Sequence, residues 1–216
     1  MNDTRILLAH GNGGRLMREL IADIFARHLA NPLLDTDADA VTLPPLDGEV
    51  MVTTDGFTVQ PLEFPGGNLG SLAVHGVVND LAVAGADPRY LTLSALIEEG
   101  LEVEVLDRLI ASFAAAARES GVAVVAGDTK VVRRGEGGGL YLSVAGIGVK
   151  RAQAKLAIES IAPGDVVLVS GPVGDHGISV MLAREQFGLS GELRSDSASV
   201  LPLAQAVRDL PGLKFM

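Results

Sequence analysis

The chain has 216 residues; 48% are hydrophobic, 4% are aromatic and 26 are glycine, which suits one large domain, or one domain with part of a second, built from both helices and strands. Its formal charge is −10 and it has no cysteine. Those two facts exclude a basic stripe for nucleic acid, disulfides and thiolate metal sites.

A small phosphorylated ligand stays within reach, because carboxylates contact phosphates through bridging cations. The opening Met1-Asn2-Asp3-Thr4-Arg5 and the short apolar run Ile6–Ala9 do not make a signal peptide. No uncharged apolar run approaches the roughly 18 residues of a membrane span. The sequence therefore predicts a soluble, cytoplasmic protein with no membrane contact.

His10-Gly11-Asn12-Gly13-Gly14 reads as a flexible turn. Behind it Leu16, Leu20 and Ile24 recur every four residues, with Phe25 and Leu29 on the same face, so a helix follows. Residues 31–48, rich in Pro, Asp and Leu, form an acidic connector. Val50, Val52 and Thr54 alternate in a strand over 49–55. After Phe64-Pro65-Gly66-Gly67-Asn68 a helix covers 69–84, stopped by Gly85-Ala86-Asp87-Pro88. A strand over 90–97, a helix over 103–120 closed by Gly121, a strand over 122–126, a mobile loop over 133–139 and a strand over 140–149 complete one α+β domain.

The domain organisation expected is an N-terminal loop and helix (1–37), the main domain (38–150), a linker (151–163) and an incomplete second domain (164–216). In that last part a strand over 165–170 leads through Gly171-Pro172-Val173-Gly174-Asp175-His176-Gly177 into a helix to about Phe187. A short helix over 201–210 follows, with Pro202 tolerated in its first turn.

Three acidic residues sit beside small neighbours that leave them accessible. Asp55 ends a strand in Thr53-Thr54-Asp55-Gly56, Asp128 follows one in Gly127-Asp128-Thr129-Lys130, and Asp80 lies in an apolar helix with Gly76 one turn before it. Nothing bulky then covers the Asp80 face, and His75 and Asn79 lie beside it. Mg²⁺ takes hard oxygen ligands and keeps waters and phosphates in its shell, so carboxylates gathered by a sheet and a helix suit it. The plain reading of Asp55 and Asp128 is turn chemistry, and that of Asp80 a salt-bridged helix face. Lys130 can neutralise a phosphate or simply be solvated. Gly66-Gly67 opens a helix and favours an anion, but is neither a P-loop nor Gly-x-Gly-x-x-Gly. Asp175 is as good a helix cap as a ligand.

The segments Thr53–Phe57, Pro61–Gly70, Leu72–Leu81 and Gly127–Val132, with His10–Gly14 and Ser170–Gly177, resemble the signature of the HypE family of hydrogenase maturation proteins. The resemblance covers essentially the whole chain. It implies the ATP-binding α+β fold shared with aminoimidazole ribonucleotide synthetase, with the first domain joined to its twin in a homodimer and Mg-ATP in the groove between them.

It further implies Asp55, Asp80 and Asp128 as binders of Mg²⁺ and phosphate. Asn79, Gly127, Thr129 and Lys130 fall near the nucleotide, and Lys130 and His75 are the catalytic candidates. In the family a HypF-type carbamoyltransferase loads a C-terminal cysteine, the thiocarboxamide is dehydrated with ATP to a thiocyanate, and a HypC–HypD complex takes the cyanide for the iron of [NiFe] hydrogenase. Here there is no cysteine and the second domain stops at Met216, so the chain is expected to be a C-terminally truncated, inactive fragment. Two further readings remain: a thiamine-monophosphate or selenide type of ATP-dependent enzyme, and a non-catalytic dimerisation or docking module.

Overall fold

The computed structural model describes residues 3–151, 156–184 and 191–216. Behind a 3₁₀ turn at Leu8–Gly11, a continuous helix runs through α1 (Arg15–Leu20), a π-type stretch (Ile21–Ala26) and α2 (Arg27–Leu29). Strand β1 (Val50–Phe57), the small hairpin β2 (Glu63–Phe64) and β3 (Gly67–Asn68), and helix α3 (Leu69–Val83) come next. They are followed by β4 (Ala86–Glu98), α4 (Val103–Glu119), β5 (Ala123–Val132) and β6 (Leu140–Lys150), then by α5 (Asp175–Ala183) and α6 (Leu201–Val207).

The main sheet has the order β1-β6-β4-β5. β4 and β5 are parallel, the other pairs antiparallel, and α4 supplies the crossover that a parallel pair requires. Leu91, Leu93, Ala95 and Ile97 of β4 alternate into the core and meet α3 and α4. Each large buried side chain contributes about 1.5–3 kcal/mol. Asn68 starts α3 through a reciprocal cap, its Oδ1 accepting from Ser71 N at 3.1 Å while Ser71 Oγ accepts from Asn68 N at 3.3 Å. The two helices cross closely at Gly70, where an added Cβ would stand 2.0 Å from Leu109 O.

Among the described residues, no helix covers the other face of the sheet. Val52 is 67% exposed there, and Leu96 and Tyr141 share the surface. Such a bare apolar face is unusual for a solitary sheet.

Several sequence expectations need correction. β5 extends to Val132, so Asp128 lies inside a strand rather than after one. β4 begins at Ala86 and absorbs Asp87-Pro88, with a register irregularity between Pro88 and Tyr90 that accommodates the proline. Residues 165–170 form no strand; Val166 and Leu168 are 82% and 88% exposed. An isolated extended segment gains no ladder hydrogen bonds, and the described residues offer it no partner. Helix α5 ends at Ala183, α6 ends at Val207, and the expected continuation of α5 over 185–187 lies outside the described residues, as does 152–155 of the linker.

Candidate functional site

Register alone fixes how the predicted acids relate. Asp55 pairs with Val144, Val144 with Leu93, and Leu93 with Gly127, so one row crosses all four strands. Three strand spacings separate its ends by about 14 Å, far beyond a shared Mg²⁺ with ligands near 2.1 Å. Asp55 lies on the helix-covered side with Val144 and Leu93. Asp128, in register with Ser94, which faces Ser143, lies on the bare side. One chain therefore does not bring Asp55 and Asp128 to one ion. Among the described residues, no three His, Cys, Asp or Glu side chains stand close enough to hold a metal.

Asp55 and Asp80 do share a neighbourhood. Thr53 Oγ1 donates to Asp80 Oδ2 at 3.1 Å, which ties α3 to the edge strand β1 two residues from Asp55. The face beside Gly76 is not bare, however. The Phe57 ring fills it, and a Cβ on Gly76 would meet Cε1 and Cζ at 2.6 Å. The glycine makes room for a partly buried aromatic packed against the core.

At the opposite edge, β5 is overlaid by the N-terminal segment. Asn31 Nδ2 donates to Val124 O at 2.8 Å, and Gly11 packs so tightly on Val131 that a Cβ would lie 2.9 Å from its side chain. His10, fully buried, accepts Leu7 N–H at Nδ1 over 2.9 Å and thereby closes the turn that presents Gly11–Gly14.

Between these layers lies a cavity of about 150 Å³. Ile21 and Phe25 of the π-type stretch, Leu34, Val41 and Val124 give it apolar walls, and Asp35, Asp39, Gly127, Asp128 and Thr129 give it polar ones. Thr129 is 7% exposed, and its Oγ1 has no hydrogen-bond partner. A buried hydroxyl left unpaired costs about 1–3 kcal/mol. The cleft thus sets carboxylate and hydroxyl-bearing residues against apolar walls. Lys130, two residues on, is exposed on the bare face in register with Leu96.

Asp35 and Asp39 are the residues the motifs did not single out. Their only signal is the acidic run Asp35-Thr36-Asp37-Ala38-Asp39 in the connector. His75 and Asn79 look elsewhere. Burial pushes the His75 imidazole below its ordinary pKa, while the Glu119 carboxylate pulls the other way, and its Nδ1 is buried without a partner. Both polar atoms of Asn79 bind the backbone of a later segment: Nδ2 donates to Ala198 O at 2.9 Å and Oδ1 accepts from Val200 N at 2.8 Å.

The chain is 45% identical to carbamoyl dehydratase HypE of Escherichia coli K12 over 98% of its own length and 64% of the relative's. A crystal structure of hydrogenase maturation protein HypE in complex with ATP superposes with a TM-score of 0.88 at 43% identity, covering 93% of this chain and 60% of that one. A structure of a HypE–HypF complex matches with a TM-score of 0.70 at 44% identity, over 89% of this chain and 61% of that one. The chain thus spans about 60% of the length of the proteins it resembles, and the HypE-like motifs are borne out. Residues 36–150 match the model of AIR synthase related protein, N-terminal domain, and the chain belongs to that family.

Proposed function

We propose that these residues are the nucleotide-binding part of an ATP-dependent carbamoyl dehydratase that serves hydrogenase maturation. The observation that carries the reading is the cavity lined by Asp128 and the unpaired Thr129 hydroxyl, in a chain 43% identical to a protein crystallised with ATP. Asp128 and Thr129, with Asp35 and Asp39, hold the nucleotide side of the site. Gly127 lets the strand approach closely, since a Cβ there would meet Leu93 O at 2.6 Å. Asp55 and Asp80 supply hard oxygens for Mg²⁺, whose shell is completed by phosphate and water. Lys130 neutralises phosphate charge, and His75 is the remaining catalytic candidate.

When bound, ATP supplies the phosphoryl group that turns a thiocarboxamide oxygen into a leaving group, so that loss of phosphate yields the thiocyanate. The 216 residues contain no cysteine, so the thiocarboxamide carrier is supplied from outside them. The bare sheet face with Val52, Leu96 and Tyr141 is the surface for a second copy. A HypF-type carbamoyltransferase and a HypC–HypD complex are the partners upstream and downstream.

Thermal unfolding with Mg-ATP, with Mg²⁺ alone and with ATP in excess chelator tests the reading. Stabilisation by Mg-ATP well beyond the other two supports it. Equal melting in all three rejects it.

A further inference from the structure

Residues 194–200 cross the first domain as a strap with two separate seats. At one end Ser195 N donates to Pro65 O at 2.8 Å, directly over Gly66. That glycine has φ +97°, and a Cβ on it would stand 2.7 Å from Ser195 N, so both its backbone conformation and its missing side chain serve the strap. At the other end Asn79 holds Ala198 O and Val200 N. Those are the two groups, flanking Ser199, that a neighbouring strand would take, so the amide stands in for a strand edge.

The strap in turn carries α5. Asp196 Oδ1 accepts from His176 N at 2.9 Å, and Ser195 Oγ lies 3.0 Å from His176 Nδ1. The His176 ring packs edge-on against Phe64 with 5.1 Å between centroids. Asp196, not Asp175, thus satisfies a backbone donor in the first turn of α5. Three motifs that the nucleotide site leaves unused meet in this one strap: Phe64–Asn68, Asn79 and Gly174–Gly177.

We propose that Asn79 is a positioning residue. Together with the Gly66 seat, it fixes the strap and so sets where α5 and α6 stand relative to α3, and it is not a nucleotide ligand. Asp80, next to it, faces β1 through Thr53. Consecutive residues of one helix thus hold the sheet edge and the second region. The proposal needs the nucleotide reading only for its negative arm.

The test is amide hydrogen exchange of the whole 216-residue chain, with each variant read at the seat it does not touch. In Asn79→Ala, exchange at Ser195 N–H rises at least tenfold while Leu93 in the central strand is unchanged. In Gly66→Ala, exchange at Val200 N–H rises likewise. Mg-ATP stabilises both variants with an apparent Kd within about twofold of the parent's. The proposal is overturned if Ser195 stays protected in Asn79→Ala, or if that variant loses Mg-ATP affinity tenfold with the strap still protected, which makes Asn79 a ligand. Should Asn79→Ala unfold globally, Gly66→Ala decides: protection retained at Val200 overturns the proposal. A parent that ignores Mg-ATP counts against the nucleotide reading alone, since strap protection is measured independently of it.

Discussion

Thr53 Oγ1 and Asp80 Oδ2, 3.1 Å apart, join an apolar helix to the exposed edge strand of the sheet. The bond holds the carboxylate toward β1, near Asp55, and leaves its other oxygen for a cation. Asp80→Asn keeps the shape and a hydrogen bond to Thr53 but removes the charge. At Mg-ATP near 100 times the parent's Kd, the parent gains about 2.7 kcal/mol of stability. Most of that gain disappears in Asp80→Asn, while its melting without ligand stays within about 0.5 kcal/mol of the parent's. Paired melting curves with and without Mg-ATP check both halves.

Asp87 anchors α6 to β4. Arg208 Nη1 donates to its Oδ1 at 2.5 Å and Gln205 Nε2 at 3.2 Å. Burial alone would raise its pKa, but the hydrogen bonds from Arg208 and Gln205, with the charges of Arg208 and Arg89, outweigh that and hold the carboxyl below its usual range. A lowered folded-state pKa contributes stability that is present above the unfolded value of about 3.9 and lost as pH falls through the folded value. Asp87→Asn accordingly costs about 1–2 kcal/mol near pH 7 and progressively less below about pH 4. Urea unfolding of both chains across pH 3–7 measures the difference.

Gly70 sits where α3 and α4 touch backbone to backbone. Alanine would place its Cβ 2.0 Å from Leu109 O, a contact no rotamer change relieves. Gly70→Ala costs at least about 3 kcal/mol in chemical denaturation. Gly177→Ala, where no atom lies within 4 Å of the added carbon, serves as control and changes stability little.

Val52 projects from the bare sheet face. If that face joins two copies, Val52→Asp buries two unpaired carboxylates in the interface. The parent then sediments as a dimer and the variant as a monomer at the same micromolar concentration. A monomeric parent would remove the homodimer from the account.

Much of the fold is legible from pattern alone. Leu91, Leu93, Ala95 and Ile97 alternate, Leu106, Leu109, Ile110 and Phe113 follow helical spacing, and Gly85 and Gly121 mark helix ends with φ of +83° and +68°. The site is less legible, because sheet order is not chain order. Asp55 and Asp128 look like partners in the sequence, yet the arrangement β1-β6-β4-β5 puts them on opposite edges and opposite faces. Asp35 and Asp39 reach the cavity only because the connector folds back over β5, which no local periodicity announces. Asn79 and Val200 are 121 residues apart, and no spacing rule links them. Val166–Val169 reads as a strand by composition, but a strand exists only with a neighbour to pair with.

The most direct test of the nucleotide site is a titration of the chain with Mg-ATP, followed residue by residue through its backbone amide resonances. The account predicts saturable, Mg²⁺-dependent shifts concentrated at Gly127, Asp128 and Thr129, at Gly11–Gly14 and at Asp35–Val41, with Asp128→Asn weakening them at least tenfold. Saturable shifts confined to other surfaces, or no shifts at millimolar Mg-ATP, would contradict it.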